Sequence, residues 1–149
     1  MRQIIVMMLF FTSISHAQIM GDVEADNDNR KLTSVQMENA IMLYDKMTAS
    51  ADYIEWQELT KKIYSIANKE SNANSFIYNE ENRNEKKIKE WVSKNVPLTN
   101  QAEAIKVLLR IVFLDNKISS ENSTIIHILK YEASFSQWQE IEKPTLRRK

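Results

Sequence analysis

The sequence contains no cysteine, two prolines and a single glycine in 149 residues. Without cysteine there is no disulfide framework, no zinc–cysteine site and no thiol nucleophile. The glycine is Gly21, so residues 22–149 offer no glycine-rich phosphate loop, no dinucleotide fingerprint and no glycine-built hairpin turn. An antiparallel β fold relies on such turns and is hard to build here. An excess of charge is lacking as well, because 20 basic residues face 20 acidic ones. Such balance gives no broad field to hold nucleic acid or anionic lipid, and neither is expected as a partner. A run of about 20 apolar residues, the length a spanning helix needs, is also missing, so no integral membrane span is expected.

What is present begins with an address. Met1 and Arg2 make a short positive start, residues 4–11 form an unbroken apolar run, and Ser15 and Ala17 fit the small-x-small pattern of a signal peptidase site. Cleavage after Ala17 is expected, leaving 132 residues, the size of one domain. Heavy use of isoleucine, lysine and asparagine points to an AT-rich bacterial genome, and with the leader to a Gram-negative periplasm. That oxidising compartment favours disulfides without requiring them, so packing alone must hold the fold. The expected organisation is a signal peptide over 1–17, a disordered acidic lead-in over 18–31, one helical domain over 32–143 and a basic tail over 144–149. The lead-in carries Asp22, Glu24, Asp26 and Asp28, and the tail carries Arg147, Arg148 and Lys149.

Apolar residues recur at helical spacing throughout the domain. Thr33 and Gln36 form a capping-box pair, and Met37, Ala40, Ile41, Leu43, Tyr44 and Met47 gather on one side of a helix over 33–48. A second helix opens near Ser50 to Asp52, with Asp52 and Glu55 spaced for a cap, and aligns Tyr53, Trp56, Leu59, Ile63, Ile66 and Ala67. The short gap between the two suggests an antiparallel hairpin. Residues 68–82 are rich in asparagine and read as a loop. A third helix over 82–95 carries a narrow stripe of Ile88, Trp91 and Val92 and stops before Pro97.

The fourth helix, with Thr99 as its expected cap, is apolar at ten of the thirteen positions 102–114. A helix apolar nearly all round is either surrounded by protein or lends one flank to a partner. Asp115, Asn116 and Lys117 are expected to turn the chain. A fifth helix over 120–141 would align Ile125, Ile128 and Leu129 first, then Tyr131, Phe135 and Trp138 a quarter turn away. The fold class that follows is all-α, a compact bundle of four to five helices behind a cleaved signal peptide.

Chemistry is sparse. After the leader, His127 is the sole histidine, so a serine triad or a two-histidine metal site lacks its parts, and His127 reads as a solvated side chain. Asp22, Glu24, Asp26 and Asp28 alternate like calcium ligands, but the sixth loop position is Asn27 and the twelfth is Thr33, where such loops need glycine and glutamate. Asn122-Ser123-Thr124 is a glycosylation acceptor only in a eukaryotic host. Glu70-Ser71 resembles the Glu-Ser start of the lytic transglycosylases, but those follow it with a glycine-containing segment. Here Ser75, Phe76, Ile77 and Tyr78 follow, and Glu70 lies in a polar stretch unsuited to raising a catalytic acid. No catalytic residue, cofactor or metal is expected.

Leu32-Thr33-Ser34-Val35-Gln36 resembles the LTxxQ motif of small periplasmic helical chaperones, and Leu98-Thr99-Asn100-Gln101 falls one residue short of it. The resemblance implies a dimeric cradle for unfolded clients, hence a homodimer. The leading expectation is different: a non-enzymatic periplasmic interaction module, an accessory or adaptor in an envelope assembly such as pilus biogenesis or secretion. Its partner would be another envelope protein, met by Tyr131, Phe135 and Trp138, since aromatic residues are enriched at interface hot spots. The alternative is an inhibitor or immunity protein against a periplasm-acting toxin. Core packing is the competing role for the three aromatics.

Overall fold

The computed structural model describes residues 30–69 and 71–147, and every regular element among them is helical. The α-helices are α1 (Ser34–Thr48), α2 (Ala51–Ile66), α3 (Ala73–Tyr78), α4 (Glu85–Asn95), α5 (Gln101–Glu121), α6 (Ser123–His127) and α7 (Phe135–Glu142). Short 3-10 turns cover Glu80–Asn82, Leu98–Asn100 and Pro144–Leu146, and a π turn covers Ile128–Glu132. The leader and most of the acidic lead-in fall outside the described residues.

Seven helices stand among the described residues where the sequence predicts four or five. One extra is α3, a turn and a half inside the expected asparagine loop, where Ala73, Ile77 and Tyr78 find the core. The other arises because the expected fifth helix is broken. Its π turn closes with Ala133 N–H donating to Ile128 O at 2.8 Å. Ala133 and Ser134 are then extended, and Ser134 restarts the helix as an N-cap. Asp115, Asn116 and Lys117 do not turn the chain, since α5 runs through them to Glu121. Thr99 lies in a 3-10 turn ahead of α5 and does not cap it.

Caps set the helix starts. At α1 the Thr33 hydroxyl accepts from Gln36 N–H at 3.2 Å and the Gln36 carbonyl accepts from Thr33 N–H at 2.8 Å. Ser50, not Asp52, caps α2 by accepting from Tyr53 N–H at 3.3 Å. Asn84 caps α4 by accepting from Lys87 N–H. At α7 the Ser134 hydroxyl accepts from Gln137 N–H, and Gln137 Oε1 accepts from Ser134 N–H. The same Gln137 amide accepts from Leu32 N–H at 2.8 Å and donates to Leu32 O at 2.9 Å, fastening the entry of the domain to α7. Ser134→Ala removes the hydroxyl half of this box and is expected to lower the unfolding free energy by about 1 kcal/mol. The check is a lower urea midpoint at unchanged slope; an unmoved midpoint would mean the cap contributes nothing.

One core cluster joins these elements, and its largest fully buried side chains include Trp56, Tyr44, Tyr53, Met47 and Ile63. The chief pairing is α2 along α5, with α4 on another side of α5, while α1 packs on α6 and α7. The expected α1–α2 hairpin is therefore not the main contact, since α5 presents the larger apolar face. Three ion pairs stitch α2 to α5: Asp52 with Lys117, Glu55 with Arg110 and Lys62 with Glu103. Partner numbers fall as the α2 numbers rise, so the two helices run antiparallel. Among the described residues no helix is long and apolar enough to cross a membrane.

Candidate functional site

The structure separates the three aromatics that the sequence places on one stripe. Tyr131 sits on the π turn at 57% exposure, its ring 5.1 Å from that of His127. Trp138 is only 6% exposed and belongs to the core cluster. Phe135 is half-buried, its ring stacked on Trp138 at 5.9 Å between centroids. A shared face requires a continuous helix, and the extended residues Ala133 and Ser134 remove it. Tyr131, Phe135 and Trp138 thus form no common ridge: one lies outside, one at the edge, one inside.

A different ridge is open. On α5 the residues Ala104, Val107, Leu108, Ile111, Leu114 and Ile118 are buried. At 100° per residue they fill one arc, and Leu109 and Phe113 fall opposite it. These two are 38% and 56% exposed, at the i, i+4 spacing that makes side chains neighbours on a helix. Ile105 extends the line one turn earlier and is half-buried. Other exposed apolar side chains, such as Val35, Met42, Ile54, Leu98 and Leu146, do not adjoin along a helix in this way. Scattered singles are ordinary on a protein surface, whereas a continuous line is a candidate contact.

Arg110 shapes that ridge. Its guanidinium donates through Nε and Nη2 to the two Glu55 oxygens at 2.8 and 2.9 Å, a bidentate fork. The fork holds the Glu55 carboxyl below its usual range. The same guanidinium lies 5.1 Å from the centre of the Phe113 ring, within cation–π range. Phe113 is therefore backed by a cation that α2 holds in place. The sequence signal for this ridge was the all-round apolar character of 102–114, which allowed either burial or an open flank. The structure gives burial on one arc and an open flank on the other.

Two polar groups sit deep, and the sequence pattern marks neither of them as buried. Asp115 on α5 is buried and pairs with Arg83. Burial pushes its carboxyl above the usual range, and Arg83 opposes that rise only in part. Two small clefts beside Arg83, lined in common by Ile77, Ile111 and Val112, each offer about 10 Å³ of free room. That is the space of one water molecule. The second group is Glu142 at the end of α7, also buried. A polar charge in a helical stripe looks like a surface residue, so both stay hidden until the packing is known. His127 is exposed, with Nε2 4.0 Å from Glu132. Among the described residues no three His, Asp or Glu side chains gather as a metal site; residues 22–28 and Glu70 lie outside those described.

No protein-family model, curated protein or solved structure matches this chain.

Proposed function

We propose that the chain is a non-enzymatic interaction module of the bacterial envelope, exported by a leader cleaved after Ala17 and acting as an accessory or adaptor in an envelope assembly such as pilus biogenesis or secretion. Its contact surface is the ridge of Ile105, Leu109 and Phe113 on α5. Its partner is another exported protein with an apolar groove rimmed by carboxylates. The observation that carries the reading is the exposure of Leu109 and Phe113 side by side on α5, opposite the arc that this helix buries in the core.

The energetics support a covering partner. Large apolar side chains gain about 1.5–3 kcal/mol each on full burial, so this ridge holds binding energy in reserve. A helical ridge with anchors one turn apart fits the helix-in-groove mode of recognition. The charges around it select the groove. Asp52, Glu55 and Glu103 are already engaged by Lys117, Arg110 and Lys62. Lys106 lies between the ridge and Arg110 on the helix and is exposed, so the surplus sign is positive. Two copies paired symmetrically on this ridge would set Arg110 beside its own duplicate, which favours a different protein over a homodimer.

The test is the double variant Leu109→Ser/Phe113→Ser. Its unfolding free energy should stay within about 0.5 kcal/mol of the parent, as for surface changes away from packed sites. Tagged parent protein should retain one stoichiometric partner from a periplasmic fraction, the variant should lose it, and Lys106→Glu should weaken capture most at low salt. Equal retention by parent and double variant would overturn the ridge. A single toxin as the retained partner would move the assignment to an inhibitor, and many unfolded clients to a chaperone.

A further inference from the structure

α7 ends on a carboxyl with nowhere to place a charge. Glu142 is 2% exposed, and neither Oε1 nor Oε2 has a hydrogen-bond partner. Three segments bring titratable or charged groups to its neighbourhood. α1 contributes Tyr44, whose buried hydroxyl also lacks a hydrogen-bond partner, and Asp45 beside it. α2 contributes Tyr53. The segment that follows α7 contributes Lys143 and Arg147. Arg147 does not reach the carboxyl: its guanidinium donates to Asp45 at 2.8 and 2.7 Å and to Ile141 O at 2.7 Å. The residues 143–147 thus form a strap that leaves α7 directly after this acid and is tied to α1 at its outer end, while the acid itself receives no donor.

A buried carboxylate without a donor is among the costliest groups a protein interior can hold, and a neutral carboxyl is far cheaper. We infer that Glu142 is a proton-operated latch: protonated, it lets α7 and its strap lie on α1 and α2, and ionised, it drives that C-terminal segment off the body. Release would uncover the Phe135–Trp138 stack and give up the two hydrogen bonds from Gln137 to Leu32. The Arg147–Asp45 fork opposes release, and being at the outer edge it acts as a hinge tie and not as a counter-charge for Glu142.

Linkage fixes the direction. Burial raises the Glu142 carboxyl from the ordinary 4.5 to about 8, with Lys143 pulling weakly the other way. The two tyrosines are pushed far above their usual range, first by burial and next by Glu142, so they stay neutral throughout. In the released state Glu142 meets water and titrates near 4.5. The docked form is therefore fully favoured below that value, and the advantage is lost as pH rises through about 8. Within this window the opening constant climbs about tenfold per pH unit, roughly a thousandfold in all.

Amide hydrogen exchange on the whole chain reads this directly, with protection corrected for the intrinsic rate at pH 5, 6.5 and 8. Protection over 135–142 should fall by roughly a few hundredfold from pH 5 to pH 8 while that over 101–121 changes little. Glu142→Gln should flatten the profile and keep α7 as protected at pH 8 as the parent is at pH 5. Glu142→Met, neutral and of similar length, should do the same, and it serves if the glutamine variant folds poorly. A parent profile without pH dependence, an undiminished fall in the neutral variants, or an equal fall over 101–121 would each overturn the latch.

Discussion

Trp138→Ala is expected to lower the unfolding free energy by about 3–5 kcal/mol, the range for truncating a large buried aromatic. The indole is 6% exposed and sits in the same cluster as Tyr44, Met47 and Ile141. Truncation leaves a cavity that the helix cannot close, because α7 is anchored at both ends. Ser134 and Gln137 box its start, and the strap through Arg147 holds its finish. Equilibrium denaturation with urea, followed by far-ultraviolet circular dichroism, reads the loss. If Trp138 were instead part of an open contact stripe, the variant would unfold at the parent's midpoint and fail only in binding. That outcome would contradict the placement of α7 itself.

The second large effect concerns the buried pair of Arg83 and Asp115. Removing one partner of a buried ion pair costs about 3–5 kcal/mol, since the other charge is left uncompensated. Arg83→Met is expected to reach that range at neutral pH, because Asp115 is almost fully enclosed by Trp56, Ile77 and Tyr78 on the cleft side. The effect should shrink in acid. Burial already raises the Asp115 carboxyl, and losing Arg83 raises it further. A raised folded-state value means that stability is present at low pH and is lost as pH rises through that value. Denaturation at pH 4 and pH 7.5 should thus show a small deficit and a large one. Adding Asp115→Asn to Arg83→Met should recover much of the loss at pH 7.5. A deficit that is equal at both pH values, or unrelieved in the double variant, would remove the buried charge as its cause.

These two sites also show how sequence patterns mislead about position. Ser134 and Gln137 stand at the spacing of a capping box, as Thr33 and Gln36 do, and both pairs cap helices. The second pair lies inside a stretch whose apolar residues keep helical spacing and read as one helix, which hides the restart at Phe135. Read as one helix, the same residues place Tyr131, Phe135 and Trp138 on an apparent stripe. Asp115, Asn116 and Lys117 misled in the opposite sense. Three polar residues in a row suggest a turn, yet Asp115 faces inward to Arg83 while Asn116 and Lys117 face water, which a continuing helix allows. The ridge on α5 was half legible: its apolar character was plain, its exposure was not.

The helical class of this protein was determined by its sequence alone. Apolar residues recur every three or four positions, side chains that accept from free amide groups stand where helices begin, and the glycine needed for tight reversals is missing. The same residues exclude thiol and phosphate-loop chemistry outright. Tertiary structure alone decided that Trp138 lies inside while Phe113 lies outside, and that Glu142 is buried without a hydrogen-bond donor. The reason is physical. Periodicity tells which side chains share a face, but the free energy of that face depends on what covers it, and the covering elements come from distant parts of the chain.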